Sequence, residues 1–201
     1  MKALIILDLQ NDFMSGGSLA VPQADQIVPM INQLQPKFDV VVATQDWHPK
    51  NHLSFAINHP GKKLFEVIKL NGIDQMLWPT HCVQGTLGAD FYPTLETKQF
   101  SAIFRKGMDA QVDSYSGFYD NDHKKSTGLT GYLRELGAKT LYFCGLCAEV
   151  CVFYSMLDAL QAGFDAALIL DATAPFDSNR MPSIKEQLVK HGARLLQSSE
   201  L

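Results

Sequence analysis

The sequence predicts an α/β fold, in which one domain carries a doubly wound, mostly parallel sheet of about six strands with helices on both faces. Short strand-like runs alternate with amphipathic helical segments along most of the chain. Several of these runs are apolar throughout, as expected for parallel strands that are buried on both faces. With 201 residues, 46% of them hydrophobic, the chain is long enough for one sizeable core. We therefore assign residues 1–201 to a single domain.

The elements follow one another in βα order. The predicted strands are Ala3–Leu7, Val40–Ala43, Ala102–Phe104, Thr140–Cys144, Ala166–Leu170 and a weaker Arg194–Leu196. The predicted helices are Ala24–Gln35, Leu129–Leu136, Glu149–Gln161 and Ile184–His191. The alternation stops between Trp47 and Phe100, where Pro, Gly, His and Asn are frequent. Long ordered loops on α/β sheets tend to carry functional residues, so this excursion is expected to contribute to a site.

Composition excludes several classes of protein. A formal net charge of -4 gives no electrostatic reason to expect nucleic-acid binding. No apolar run approaches the roughly 18 residues of a membrane span, and Asp8 interrupts the apolar start too early for a signal peptide. The 4 cysteines are too few for a disulfide scaffold in a chain of this length. We expect a cytoplasmic protein without nucleic-acid or membrane partners.

Polar residues with catalytic potential cluster at the ends of predicted strands. Asp8 ends the first strand, Asp46 and His48 follow the second, and Lys106 follows the third. The segment Cys144–Cys151 follows the fourth. In open α/β sheets the carboxyl ends of the strands form the edge where ligands bind, so these residues are predicted to share one site.

Cys151 is the predicted nucleophile. It lies just past a strand and a turn that contains Gly145, near the start of a helix, where unpaired amides favour a thiolate. Asp8 could accept its proton, and Lys106 would add a stabilising cation. The alternatives are a buried structural cysteine, a redox dithiol formed by Cys144 and Cys147, an Asp8 that caps a turn, and a solvated Lys106.

A metal site is predicted from one carboxylate and several imidazoles. Asp46 and His48 are two positions apart, so in extended chain their side chains point to the same side and can hold one ion. His52 and His81 follow in the same excursion. Oxygen and nitrogen ligands together suit Zn, Mn or Fe. The alternatives are histidines in surface turns, or a zinc site that Cys82 completes with sulfur.

Taken together, motifs spread over nearly the whole chain resemble the nicotinamidase branch of the isochorismatase-like cysteine hydrolases. The matching stretches are Leu7–Phe13 (LDLQNDF), Thr44–Pro49 (TQDWHP) with Asn51-His52 and Ser54-Phe55, Trp78–Gln84 (WPTHCVQ), Arg105–Gly107 leading to Asp113–Ser116, and Gly145–Val152 (GLCAEVCV). The resemblance implies an isochorismatase-like hydrolase fold. It also implies hydrolysis of nicotinamide to nicotinate and ammonia through a cysteine thioester, in NAD salvage, with activity on pyrazinamide-like analogues.

The resemblance further implies a role for each matching residue. Asp8, Lys106 and Cys151 match the catalytic triad, and Asp46, His48 and His81 match the ligands of one divalent metal, with zinc expected first and manganese or iron as alternatives. His52 matches a residue that ligates in only some relatives. Phe13 and Trp78 match the aromatic pair that flanks the pyridine ring. The peptide that matches Leu146–Cys147 is usually cis in the family, which would direct the backbone amides of Cys147 and Cys151 at an oxyanion.

The last motif departs from the family pattern. Many relatives have Gly-Leu-Ala-Thr-Asp-Tyr-Cys where this chain has Gly145-Leu146-Cys147-Ala148-Glu149-Val150-Cys151. The extra thiol leaves open whether Cys147 pairs with Cys151. The rivals are a metal-free relative, such as an isochorismatase or a carbamoyl-amide hydrolase, and a non-catalytic metal or redox binding protein. A homo-oligomer is the one protein partner that the sequence leaves open.

Overall fold

A computed structural model describes all residues from Met1 to Leu201. Its strands are β1 Lys2–Leu7, β2 Val40–Asp46, β3 Val67–Leu70, β4 Ile73–Met76, β5 Ala102–Lys106, β6 Thr140–Gly145, β7 Asp165–Thr173 and β8 Arg194–Leu196. Six of them form one sheet in the order β5-β2-β1-β6-β7-β8, and every neighbouring pair is parallel. The predicted six-stranded parallel sheet is confirmed.

The sheet separates two hydrophobic clusters, one on each face. Along β1, Leu4 and Ile6 belong to one cluster, whereas Ala3, Ile5 and Leu7 belong to the other. This alternation follows from the two-residue period of a strand, and it explains why the run is apolar throughout. The central strands are therefore buried on both faces, as predicted.

Four α-helices cover the two faces. They are α1 Val28–Leu34, α2 Leu129–Glu135, α3 Phe153–Gln161 and α4 Met181–Lys190. α1 packs in the cluster of Leu4, and the other three pack in the cluster of Ile5. No helix is both long enough and apolar enough to cross a membrane.

Two predicted helices are less regular than expected. The segment 24–35 starts with a 3₁₀ turn, Ala24–Ile27, and a second one, Gln35–Lys37, ends α1. Pro29 is the second residue of α1 and Pro36 lies in the second turn, and each lacks the N–H that one continuous helix over this segment would need. The segment 149–161 starts with a π-helical turn, Ala148–Val152, before α3 begins. Single π turns inside helices are frequent at functional sites.

Two strands run further than predicted, which matters for the site. β2 ends at Asp46 and β5 ends at Lys106, so these residues are the last of their strands rather than the first after them. Asp46 and Lys106 are also register partners in the parallel pair. Their side chains therefore start from adjacent positions on the same edge of the sheet.

The excursion between β2 and β5 folds over the carboxyl edge of the sheet. It contains the β3–β4 hairpin, which the sequence prediction missed, although Asn71 and Gly72 have the positive φ values of 52° and 86° that favour a two-residue hairpin turn. Short bridges fasten the excursion elsewhere, pairing His48 with Val83 and Phe55 with Trp78. The excursion thus brings its histidines to the ends of the strands.

Candidate active site

Asp8, Lys106 and Cys151 meet at the carboxyl edge of the sheet. The Lys106 ammonium lies 3.0 Å from Asp8 Oδ2 and 3.4 Å from Cys151 Sγ. It also donates to the carbonyl of Ser114 at 3.1 Å and contacts Asp46 Oδ1. The lysine is 2% exposed, so these contacts replace its hydration. The structure brings the three residues together as predicted.

The backbone at the end of β1 aims Asp8 into this cluster. Asp8 has a φ of 50°, a left-handed conformation that is uncommon outside glycine and is found at functional sites. Its Oδ1 accepts a hydrogen bond from Thr44 Oγ1 at 2.5 Å. On the neighbouring strand, Gly145 has a φ of 105°, and a Cβ there would lie 2.2 Å from the Leu7 carbonyl oxygen. Only glycine lets the segment that carries Cys151 leave β6 so close to β1.

The charges in the cluster are strongly coupled. Burial would lower the pKa of Lys106, but the carboxylates of Asp46 and Asp8 hold that pKa well above its usual value. Burial would raise the pKa of Asp46, but Lys106 and then His48 hold it well below its usual value. For Asp8, burial outweighs the attraction of Lys106 and raises the pKa. The ammonium is therefore retained, and Asp46 is its permanent counter-charge.

The surroundings of Cys151 favour a thiol at rest, in line with the predicted need for Asp8 to accept its proton. Burial raises the pKa of the Cys151 thiol well above its usual value, whereas Lys106 lowers this pKa and the carboxylates of Asp8 and Asp46 raise it. The segment also enters its helix through a π turn rather than a regular first turn. The resting nucleophile is a thiol, which needs a base to accept its proton.

Asp46, His48 and His81 form a cluster that fits a metal ion. The Nε2 atoms of His48 and His81 lie 3.6 and 3.7 Å from the same oxygen, Asp46 Oδ2. Such spacing suits atoms that surround an ion at about 2.0–2.2 Å. Nδ1 of His48 faces the Gly107 carbonyl at 2.9 Å, and Nδ1 of His81 faces the Pro79 carbonyl at 2.8 Å. Since a carbonyl only accepts, each Nδ1 carries a proton, and in the neutral ring each Nε2 keeps a free lone pair.

His52 lies beside this cluster in a different state. Its ring centroid is 4.4 Å from that of His48, and its Nε2 is buried without a hydrogen-bond partner. Its Nδ1 lies 2.7 Å from the Ser54 hydroxyl oxygen and 3.1 Å from the Ser54 backbone nitrogen. Burial lowers the pKa of His52 to about 4, which keeps the ring neutral. His52 also forms a second group of possible metal ligands with His48 and Asp113.

The other cysteines do not form the alternative sites. All four cysteines are free thiols. Cys144 is buried in β6, with its Sγ directed at the Ile5 carbonyl, and Cys82 directs its Sγ at the Gly88 carbonyl, away from the histidines. A Cys144–Cys147 dithiol and a zinc site completed by Cys82 therefore find no support. All peptide bonds are trans, so the expectation of a cis bond before Cys147 is wrong, and trans is favoured by about 2.5–4 kcal/mol at a bond that does not precede proline.

A cavity of about 280 Å³ opens onto these groups. Cys151 and the Asp46, His48 and His81 cluster line its inner part, whereas Asp8 and Lys106 lie behind them. Phe13 and Trp78 line its sides, and the Phe13 ring centroid is 5.5 Å from that of His81. The cavity is at the lower end of the size range of small-molecule sites and is mostly apolar.

Sequence reasoning missed several residues of the site. Thr44 orients Asp8, the Ser114 carbonyl holds Lys106, and Gly107 supplies the carbonyl that orients His48. One signal was available for Thr44, since it lies two positions before Asp46 in β2 and therefore on the same face of the strand. The backbone carbonyls gave no signal in the sequence.

Comparisons with known proteins identify the family of the chain. Residues 2–200 match the model of the family described as the isochorismatase domain. The nicotinamidase of Acinetobacter baylyi is 50% identical over 177 residues, which cover 88% of this chain and 83% of that protein. The solved structure of an Acinetobacter baumanii nicotinamidase and pyrazinamidase superposes with a TM-score of 0.96 at 46% identity, covering 99% of this chain and 97% of that one.

A more distant solved structure bears on the metal. The pyrazinamidase of Pyrococcus horikoshii in complex with zinc superposes with a TM-score of 0.81 at 35% identity, covering 98% of each chain. The fold, the length of the match and the identity to these relatives all lead to one assignment. This chain is a member of the isochorismatase family.

Proposed function

We propose that the protein is a nicotinamidase, which hydrolyses nicotinamide to nicotinate and ammonia. One observation carries the proposal: Cys151 and the Asp46, His48 and His81 cluster line the same small cavity, so a thiol and two imidazole lone pairs face one ligand. The family membership and the nicotinamidase relatives support it.

The cavity suits a flat heteroaromatic amide. Phe13 and Trp78 offer aromatic surfaces to a planar ring, and such contacts are worth about 0.5–1.5 kcal/mol beyond the burial of area. With the ring nitrogen directed at the histidines, the carboxamide at the third ring position points toward Cys151. Pyrazinamide keeps the ring, a nitrogen and the amide, so we propose that it is also a substrate.

Asp46, His48 and His81 would hold the metal through one carboxylate oxygen and two Nε2 atoms. These two nitrogens lie 3.6 and 3.7 Å from Asp46 Oδ2, a spacing that fits ligands of one ion. Bound there, the ion would supply a Lewis acid that orients the ring through its nitrogen. We propose zinc, as in the Pyrococcus horikoshii structure, with manganese or iron as alternatives. The cluster is also what separates this chain from a metal-free relative.

Proton transfer in the first half-reaction falls to Asp8. One of its carboxylate oxygens lies within 4.8 Å of Cys151 Sγ, and we propose that it takes the thiol proton as sulfur attacks the carboxamide carbon. Lys106, 3.4 Å from Sγ, stabilises the negative charge on sulfur that this transfer creates. The protonated Asp8 then gives its proton to the departing nitrogen, and ammonia leaves a thioester on Cys151. We propose that the backbone amides of Cys147 and Cys151 stabilise the oxyanion.

In the second half-reaction Asp8 acts as a base again, with water in place of the thiol. A water attacks the thioester while Asp8 accepts one of its protons, and the carbon–sulfur bond breaks. Nicotinate leaves, and the proton returns to the Cys151 thiol. We propose that the enzyme, with nicotinate as its product, acts in NAD salvage. We propose the cytoplasm as its compartment, because free thiols fit a reducing environment.

Single cysteine variants test the proposal directly. Cys151→Ala should release no ammonia from nicotinamide, whereas Cys144→Ala, with its thiol in the core, and Cys147→Ala should retain most of the activity. Purified wild-type protein that releases no ammonia, or a Cys151→Ala variant that turns over normally, would refute it.

The metal assignment needs its own measurement. Elemental analysis of protein purified without added metal should find one ion per chain, and His81→Ala should lose most of it. His52→Ala is the comparison variant, because that imidazole lies beside the same cluster but its Nδ1 already contacts Ser54. Equal loss in both variants would show that His52 is also a ligand.

A further inference from the structure

Two phenylalanines from distant segments face each other at the cavity mouth. Phe65 precedes β3 and Phe176 follows β7, and their ring centroids are 6.2 Å apart. Both line the cavity, yet Phe65 is 46% exposed and Phe176 is 38% exposed. We call this pair the aromatic gate. Contiguous exposed apolar groups often mark ligand-binding grooves, and these two rings are adjacent where the cavity opens.

Phe176 is held in place from the nucleophile segment. Glu149 is 3% exposed, and both of its carboxylate oxygens accept hydrogen bonds from backbone N–H groups. Oε2 accepts from the N–H of Phe176 at 3.1 Å, and Oε1 accepts from the N–H of Asp177 at 2.7 Å. A buried carboxylate is tolerated only with such charge-assisted hydrogen bonds. Glu149 lies two residues before Cys151 in the same π turn. Phe176 is therefore hydrogen-bonded to the same turn that carries the nucleophile.

Phe65 is held by a strained backbone. Its φ is 64°, a left-handed conformation that is an outlier for a bulky residue. Its N–H donates to the Leu77 carbonyl at 2.7 Å, and its ring meets Trp78 edge to face at 6.1 Å. Strain of this kind persists only where the surroundings enforce it, typically at ligand clamps. Trp78 thus contacts Phe65 of the gate and also lines the part of the cavity that would hold the pyridine ring.

If the proposed function holds, the orientation of the bound ligand determines which of its ring positions faces the aromatic gate. In a pyridine-3-carboxamide the ring nitrogen and the carboxamide flank C2, and both are directed into the cavity, toward the histidines and Cys151. C5 lies opposite C2 on the six-membered ring and therefore points out to the mouth. We infer that the aromatic gate excludes pyridine carboxamides with bulky C5 substituents, and that Glu149 is the positioning residue that sets this limit.

The test compares 5-phenylnicotinamide with nicotinamide, using the ratio of their kcat/KM values in each variant. Phe176→Ala should raise this ratio at least tenfold, because it removes one side of the gate. Glu149→Ala should raise it as well, and Glu149→Gln should raise it less, since one oxygen remains to accept. Val189→Ala is the matched control: Val189 is 54% exposed on α4, outside the cavity, and its loss should leave the ratio unchanged.

A second readout does not depend on turnover. The affinity for 5-phenylnicotinate relative to nicotinate, measured by calorimetry, should rise in Phe176→Ala by a similar factor. Wild-type protein that cleaves nicotinamide, combined with an unchanged ratio in Phe176→Ala, would refute the gate and leave the proposed function intact. Wild-type protein that does not cleave nicotinamide would refute both. Glu149→Ala with the wild-type ratio, beside a raised ratio in Phe176→Ala, would refute the positioning role.

Discussion

Replacing Lys106 by Met should destabilise the protein far more than the loss of an ordinary lysine. The ammonium is 2% exposed and balances the buried carboxylates of Asp8 and Asp46. Removing one partner of a buried ion pair costs about 3–5 kcal/mol, because the remaining charge is left uncompensated. Methionine nearly preserves the volume, so the cavity contribution is small. We expect a loss of about 3–5 kcal/mol at pH 8, with loss of activity.

The stability that Lys106→Met loses should depend on pH in a defined direction. Without Lys106, the pKa of Asp46 is no longer held low and the pKa of Asp8 rises further. A carboxyl group whose folded-state pKa is raised destabilises the fold above that pKa and does so less as pH falls and the group takes up a proton. The difference in unfolding free energy between wild type and Lys106→Met should therefore be smaller at pH 5 than at pH 8.

Urea unfolding followed by circular dichroism, with metal chelated, measures this free energy. Lys62→Met is the control, since Lys62 also pairs with a carboxylate, Glu66 at 2.6 Å, but its side chain is 45% exposed. Exposed pairs contribute about 0–1 kcal/mol. If Lys106→Met lost no more stability than Lys62→Met at either pH, the assignment of Lys106 as a buried counter-charge would be refuted.

Three further predictions concern chemistry. Gly107→Ala should weaken metal binding about 10–100-fold in a chelator titration, because a Cβ at Gly107 would lie 2.3 Å from the His48 ring. Gly61→Ala is the control: Gly61 has a similar φ but open space around it, so this variant should bind the metal as wild type does. Thr44→Val should move the acid limb of the kcat/KM profile to higher pH, since the Thr44 hydroxyl lowers the pKa of Asp8; an unmoved limb would contradict the role of Asp8 as base. Benzamide, which lacks the ring nitrogen, should be a much poorer substrate than nicotinamide. Equal rates of hydrolysis of the two amides would show that the metal does not bind the ring nitrogen.

Much of the arrangement was predictable because parallel topology converts sequence position into location. Residues at the ends of apolar strands must meet at one edge, whatever their distance along the chain. Asp8, Asp46 and Lys106 could be grouped on that ground alone, and the structure places them in contact. The fold class followed from the same alternation of strands and helices.

The rest depends on contacts that no local pattern records. The protonation state of Cys151 depends first on burial, then on Lys106, which lowers the thiol pKa, and on the carboxylates of Asp8 and Asp46, which raise it, so its position near a helix start does not decide its charge. The aromatic gate joins two loops that are distant in sequence, and Phe65 and Phe176 are not part of any periodic segment. Backbone partners such as the Gly107 carbonyl become visible only once the chain is folded.

The strand order also governs how the chain reaches its native state. The centre of the sheet is the β1–β6 pair, whose register runs from Lys2 with Thr140 to Leu7 with Gly145. Each pair of partners is 138 positions apart in a chain of 201 residues, so their pairing closes a large loop. Proteins dominated by such distant pairings fold slowly and expose unpaired edges meanwhile. Since Asp8 and the nucleophile segment sit at the end of this pair, refolding protein should regain amide hydrolysis only in its last kinetic phase, and no amino-terminal fragment of the chain should be active.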